Sequence, residues 1–451
     1  MRRLVGGVFL GSVLLAGTGR AQSPALSLDQ ALRQAAEHGF PSRSAAAQRQ
    51  AQAGLAAQSY RGFLPAVRMD VGYIRTTDPL GAFGATLRRR EVTPAAFDPA
   101  ALNHPDDIGQ LTSSLVVEQP LLNLDAWYAR RAATSGARGA AAMYRWVRVE
   151  GQVAVVRAYY GAVLAADQVR TLEDAADAAR AHQRQAESMH RNGLVTQSDV
   201  LLARVRAGET ESQLIAARAA LPLARMRLAL VLGAPSDTGF TLPSHLPSSD
   251  RIGRAVRNLE ASPGARADVE AADLALDAAT ANRRRATAQL LPRVNSFGRL
   301  DWVTDDTPFG GRRSWTVGIM LSWSPFTGGS EWAERSEAEG RRLDAAAQAE
   351  AALAQGRLEI SQARSAVEVA LAQMSILDTA VTQSMEAHRI VRRKYEGGLA
   401  TVFELSDAAA QETGTRLGAS RARYDAITAL AERQRAGGAD LLPLAALETG
   451  E

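Results

Sequence analysis

The sequence predicts an α+β membrane protein in which long coiled-coil helical hairpins carry four β-strands per subunit, with the whole pattern laid down twice. Three observations predict it: short motifs that recur in the same order, four segments with a period of two, and two long stretches without proline. Composition agrees. With 46% hydrophobic and 22% charged residues, the 451-residue chain is ordinary for an ordered protein. Aromatic residues make up only 5% and alanine is abundant, which suits long helices with small contact residues.

The recurrence is read from three alignments. Phe63-Leu64-Pro65-Ala66-Val67 returns as Leu290-Leu291-Pro292-Arg293-Val294, Leu121-Leu122-Asn123 as Pro325-Phe326-Thr327, and Arg191-Asn192-Gly193-Leu194-Val195-Thr196 as Glu396-Gly397-Gly398-Leu399-Ala400-Thr401. The offsets are 227, 204 and 205 residues, so the first half carries about 22 extra residues between its two strand-like segments. Residues 77–110, rich in Pro, Gly and Asp, are therefore expected to form a long surface loop. The counterpart at 304–313 is short.

Residues 1–21 read as a signal peptide: Arg2 and Arg3, an apolar stretch from Leu4 to Ala16, then Gly17-Thr18-Gly19-Arg20-Ala21 as a small-x-small cleavage site. The apolar run is too short to span a bilayer comfortably. The first structural repeat is expected over 22–232, with a helix, strands at about 65–76 and 111–119, and a helical hairpin whose tip lies near 193. A Pro-rich linker follows at 233–263 (Pro235, Pro243, Pro247, Pro263). The second repeat runs over 264–435, with strands at about 292–303 and 314–324 and a hairpin tip near 398, and a C-terminal tail occupies 436–451.

In the strands, Val67, Met69, Val71 and Tyr73 alternate with Arg68, Asp70 and Gly72. Trp315, Val317, Ile319, Leu321 and Trp323 alternate with Ser314, Thr316, Gly318 and Ser322. Segments of about ten residues with aromatic ends have the length and dress of membrane β-strands. A sheet edge cannot lie open in lipid, so the sheet has to close. Two copies would give eight strands, just filled by side chains, and three would give twelve with a lumen; the expectation is a trimer.

The helices are read from heptads. Leu353, Ile360, Val367, Met374, Val381, His388 and Tyr395 recur every seven residues, with Ala363, Ala370, Leu377 and Val391 as the second seam, which predicts helices packed side by side. From 126 to 191 a helix would run roughly 100 Å at 1.5 Å per residue. Gly193 and Gly398 are expected to take the positive-φ position that ends each long helix. Thr196 and Thr401 stand three residues before Asp199 and Glu404, which is capping-box spacing.

Several classes are excluded. There is no cysteine, hence no disulfide, thiolate metal site, cysteine nucleophile or lipidated N-terminal Cys. The single lysine, Lys394, precedes Tyr395, so no Walker A loop exists. Six histidines show no metal-binding spacing, no cofactor is expected, and nothing supports an enzyme. His388, on the heptad seam, reads as packing or pore-lining. A formal charge of +4, falling to about +1 once the three arginines of residues 1–21 are removed, speaks against nucleic acid as a partner.

With these motifs in place the chain resembles the TolC family of outer-membrane efflux proteins. Leu26-Ser27-Leu28-Asp29-Gln30-Ala31-Leu32 resembles the family's opening helix. Leu64-Pro65 and Leu291-Pro292 resemble its strand starts, and Gln119-Pro120-Leu121-Leu122 and Trp323-Ser324-Pro325-Phe326-Thr327-Gly328-Gly329 its strand-to-helix exits. Gly193-Leu194-Val195-Thr196 and Gly398-Leu399-Ala400-Thr401 resemble its periplasmic turns. The resemblance implies a homotrimeric channel with a twelve-stranded β-barrel in outer-membrane lipid and an α-barrel reaching into the periplasm. It implies a passive exit duct for small molecules or polypeptides, served by a periplasmic adaptor (membrane fusion protein) and an inner-membrane transporter of the resistance-nodulation-division (RND) or ABC type. Gly193, Leu194, Thr196, Gly398, Leu399 and Thr401 would be the adaptor-docking tips. Glu404 and Asp407, three residues apart on one helix face, match acidic positions that ring the family's periplasmic entrance. Asp199 and Tyr395 match its gate latch, while the latch arginine two places after the second tip glycine is Ala400 here. The competing reading from another class is a periplasmic coiled-coil adaptor or scaffold without a pore, which would lack the duplicated strand pairs.

Overall fold

A computed structural model describes residues 26–234, 240–258 and 265–448. The expected signal peptide lies outside the described residues, as do Pro235 and Pro263.

Local chemistry starts the helices. Ser27 and Gln30 form a reciprocal capping box at α1 (Leu28–His38), and Gly39 ends it, with Pro41 in the first turn of α2 (Phe40–Gln58). The chain then enters β1 (Ala66–Thr76) and returns through β2 (Ile108–Leu122) into the 68-residue α5 (Leu124–Arg191) and its hairpin partner α6 (Gln197–Leu232). The second repeat runs through α8 (Ala267–Ala288), β3 (Arg293–Thr304), β4 (Arg312–Ser322), the 67-residue α9 (Ser330–Glu396) and α10 (Val402–Ala436). At 1.5 Å per residue, α5 and α9 are each about 100 Å long.

The four strands form one antiparallel sheet in the order β1-β2-β3-β4, so the two repeats join through β2 and β3, and β1 and β4 are left as unpaired edges. The main core lies about half-way along α5, not at the sheet. There Val156, Tyr159, Tyr160 and Val163 pack with Leu28 and Leu32 of α1, Leu228 of α6, and Ile427 and Leu430 of α10.

Three expectations need correction. Residues 77–110 are not a plain loop: they hold α3 (Pro79–Arg89) and α4 (Pro99–Asn103). The prolines and aspartates read as loop formers are helix starters, since Asp78 accepts the Gly81 N–H at 2.6 Å and Asp98 that of Ala100 at 3.1 Å, each with proline in the first turn. The expected linker contains α7 (Ser249–Asn258), whose Ile252 is fully buried in the main core. The expected C-terminal tail is not peripheral either. It ends in a 3-10 turn (Leu442–Leu447), and Leu441, Leu444 and Leu447 complete that core.

Candidate functional site

The two hairpin tips are built alike. At the first, Gly193 (φ 76°) sends its N–H to His190 O at 2.9 Å and Leu194 to Met189 O at 2.9 Å. At the second, Gly398 (φ 72°) bonds Tyr395 O at 3.0 Å and Leu399 bonds Lys394 O at 2.8 Å. Both are Schellman ends, with glycine in the one position where a side chain would strain the backbone. The next helix of each hairpin then opens with a capping box. Thr196 N–H donates to Asp199 at 2.9 Å and Asp199 N–H to Thr196 Oγ1 at 3.3 Å; Thr401 N–H donates to Glu404 at 2.7 Å and Glu404 N–H to Thr401 Oγ1 at 3.1 Å. Leu194 is 69% exposed and Leu399 80%, so each tip offers a bare leucine.

Hydrogen bonds from Thr401, first its backbone N–H and then its hydroxyl, hold the Glu404 carboxyl below its usual pKa. Asp407 is exposed one helical turn further on. Asp199 and Tyr395 come close without a hydrogen bond. The Tyr395 ring is buried with Ala186, Ala203, Val402 and Leu405, in a small core that locks the two hairpin ends together. Burial, and then the Asp199 charge, raise its phenol, whose oxygen has no partner.

Further from the tips sits a group that heptad reasoning placed only in part. His388 of α9 bonds Glu412 of α10 at 2.6 Å, and the His182 ring of α5 meets the His388 ring edge-on at 5.9 Å. Burial, then the neighbouring His388 and Arg392, depress the His182 pKa, with Glu396 opposing. The two histidines are 206 positions apart, and no local signal links them. Among the described residues no cluster of His, Asp and Glu could hold a metal ion, and no helix is long and apolar enough to cross a membrane.

The sheet separates its two faces. One carries Val67, Met69, Val71 and Tyr73 of β1, in register with Val117, Leu115 and Leu111 of β2, Leu300 and Trp302 of β3, and Trp315 and Val317 of β4. Its only strand charges, Arg75 and Arg313, stand at the loop ends. Trp315, Val317 and Ile319 are at least two-thirds exposed. Aromatics mark both margins, with Trp323 at the helix end and Tyr73, Trp302 and Trp315 toward the loops. The opposite face carries Arg68, Asp70, Thr112, Ser114, Asn295, Ser314 and Thr316. A sheet apolar on one side and polar on the other, with open edges, is the shape of a barrel segment between lipid and water.

A strap joins the chain's described ends at mid-length. Glu448 accepts the Leu28 N–H at 2.7 Å and the Tyr159 hydroxyl, which also reaches Leu26 O at 2.8 Å. Gln152 bonds Asp440 at 2.7 Å and accepts the Leu441 N–H at 3.2 Å. Burial, then Glu448, push the Tyr159 phenol above its usual range.

Comparison with known proteins agrees with this geometry. The family profile described as outer membrane efflux protein matches residues 31–234 and 261–439. The alkaline protease secretion protein AprF of Pseudomonas aeruginosa is 26% identical over 339 residues, covering 72% of this chain and 69% of AprF. The outer membrane protein OprJ of the same organism is 30% identical over 146 residues, 32% of this chain and 30% of OprJ. Among solved structures, the outer membrane protein VceC of Vibrio cholerae superposes with a TM-score of 0.75 at 21% identity, over 92% of this chain and 96% of VceC. The outer membrane channel CmeC of Campylobacter jejuni gives 0.76 at 15% identity, over 97% and 94%.

Proposed function

The chain belongs to the outer membrane efflux protein family, and on that premise we propose that three copies assemble into a passive exit duct through the outer membrane. The four-stranded sheet with one lipid-like face and two open edges carries the reading. Unpaired backbone at β1 and β4 is untenable in hydrocarbon, and pairing β4 of one copy with β1 of the next satisfies both. Three copies supply twelve strands, enough to leave a lumen lined by the polar face.

The helices support the same closed ring. Leu201, Val205, Ile215 and Leu223 of α6, and Leu353, Ile360, Val369 and Ile376 of α9, are exposed apolar side chains. These are two unlike surfaces, which suits a head-to-tail ring that closes on itself. The α-hairpins would then form a second barrel, ending in three pairs of tips.

At those tips Leu194 and Leu399, presented by Gly193, Thr196, Gly398 and Thr401, are the docking points for a periplasmic adaptor. The adaptor joins the duct to an inner-membrane transporter of the RND or ABC type, which supplies the energy and hands over the cargo. Small molecules and secreted polypeptides both fit a duct that does not itself choose; AprF, named for protease secretion, supports the second. Glu404 and Asp407 ring the entrance, where the capping bonds from Thr401 hold the Glu404 carboxyl below its usual range, and carboxylates there make the entrance prefer cations. Tyr395 and Asp199 act as the latch between hairpins: their proximity supports it, and opening would have to expose the small core around Tyr395.

The test is molecular mass in mild detergent together with conductance in planar bilayers. Trimer mass and discrete, cation-preferring steps that lose their preference in Glu404→Ala, Asp407→Ala support the duct and its acidic entrance. Unchanged preference returns the two acids to helix capping, and a monomer that forms no pore overturns the duct.

A further inference from the structure

The polar face of the sheet carries a pattern that strand register makes visible. Arg68 of β1 stands opposite Val116 of β2, which stands opposite Arg299 of β3, which faces Thr316 of β4. Two residues along, Asp70, Ser114, Asp301 and Ser314 form the next row. Each arginine bonds the aspartate of its own strand, Arg68 Nε to Asp70 at 3.1 Å and Arg299 Nε to Asp301 at 2.7 Å. The duplication does not account for the match, because the position 227 residues after Arg68 is Asn295. Two Arg-x-Asp units from different points of the repeat fall in the same two rows only because β2 pairs with β3 in this register.

We propose that these two pairs fix the ionic selectivity of the barrel wall, as a self-neutralised band that passes cargo of either sign. The proposal rests on the trimeric duct reading. Three copies bring six guanidinium and six carboxylate groups to the lumen. Barrel strands tilt by about 35–45°, so the rows climb and opposite charges interleave around the wall. The side chains between them are small or uncharged (Val116, Thr316, Ser114, Ser314), which leaves the charged groups as the dominant field in that band. The pairs are too exposed for stability to explain them, at 73% and 59% for Arg68 and Asp70 and 53% and 27% for Arg299 and Asp301. What pairing does achieve is cancellation. Either set alone would make a one-signed collar, and such collars select ions. Outside the band, discrimination by charge is left to Glu118 and Arg312, which flank it on the polar face, and to α10 at the opposite end of the duct.

The experiment measures the K⁺/Cl⁻ permeability ratio of the purified trimer in bilayers, in an E404Q/D407N background that removes the entrance acids. Dilute salt, about 0.01 M, is used because the Debye length there is roughly 30 Å. Asp70→Asn with Asp301→Asn should move the ratio several-fold toward chloride. Arg68→Gln with Arg299→Gln should move it several-fold toward potassium. Exchanging the partners in both strands (R68D, D70R, R299D, D301R) should leave the ratio near that of the background. Asp70→Asn alone should give a smaller shift of the same sign, and serves if a double variant does not assemble. An unchanged ratio in both double variants, in channels of parental mass, overturns the band. A parent that forms no channel overturns instead the duct on which the band depends.

Discussion

Helices α5 and α9 hold the same place in the two repeats and differ in length by one residue, yet α5 buries eighteen of its residues and α9 only eight. Helix α5 is wrapped by α1, α2, α6, α8 and α10, whereas α9 lies against α8, α10 and the short α7. The apolar side chains that α5 exposes, Leu124, Trp127 and Met143, stand in its sheet-side portion, while α9 leaves Trp332, Leu343, Leu353, Leu358, Ile360, Val369 and Ile376 bare along much of its length. A duplicated frame has divided its labour: one copy builds the core of the protomer, and the other leaves apolar surface uncovered, which in the proposed trimer would meet neighbouring copies. The heptad periodicity of α9 reports that a face is covered and not by which chain.

Paired substitutions sharpen this contrast, and the largest effects come first. Val163 of α5 is fully buried. An aspartate there would place an unpaired charge in the core at a cost of several kcal/mol, comparable to the whole stability of an ordinary domain. V163D should therefore fail to fold, seen as lost helical circular dichroism. Ile376 of α9 is 68% exposed in the protomer. I376D should keep its helix content while the mass in mild detergent falls from trimer to monomer; a trimer of normal stability would break the division of labour.

Next come the contacts that hold α5 to the chain's described ends. Glu448→Ala removes the acceptor for the Leu28 N–H and the Tyr159 hydroxyl. The Leu28 N–H is left unpaired at a cost of about 1–3 kcal/mol, while the Tyr159 hydroxyl keeps Leu26 O; the loss is read as a lower melting temperature or denaturant midpoint.

Acid should loosen the contact between the two hairpins. The His182 pKa lies below the ordinary value of about 6.5, so the unfolded chain binds the proton more readily than the folded one. The stability this contact contributes is complete above about pH 6.5 and declines as pH falls through the window down to the folded value. His182→Gln should flatten that decline in thermal melts between pH 7 and pH 5; an unchanged slope would assign the acid sensitivity to other groups.

The smallest effects are expected where the repeats are alike. Gly193→Ala and Gly398→Ala meet open space, with nothing within 4 Å of the added carbon, so only the positive φ is penalised. Each should cost about 1 kcal/mol, and by similar amounts. A marked inequality would show that one tip is held by contacts the other lacks.

The parts of this protein that were legible in its sequence are those governed by local rules. Strand alternation separates an apolar from a polar face because side chains in a strand must point to opposite sides. Gly193 and Gly398 with Thr-x-x-acid behind them read correctly as a turn between capped helices, since glycine conformation and capping depend on neighbouring residues alone. Helices α3 and α4 were hidden because Asp and Pro serve loops and helix starts equally well. The C-terminal segment looked like a tail because its three leucines carry no periodic pattern, and their place in the core depends on residues hundreds of positions away. The same distance hid the His182–His388 contact. The Arg-x-Asp units were visible as spelling, but their place in common rows depends on strand pairing that no local window contains.

The strap from Glu448 to Leu28 also sets an order of events. The part of the core that Leu441, Leu444 and Leu447 complete against Leu28 and Leu32 cannot form until synthesis has reached them, so the emerging polypeptide is slow to commit. That delay suits a protein bound for the outer membrane. A polypeptide whose distant segments have not yet met stays extended, the form in which it can still be passed across a membrane.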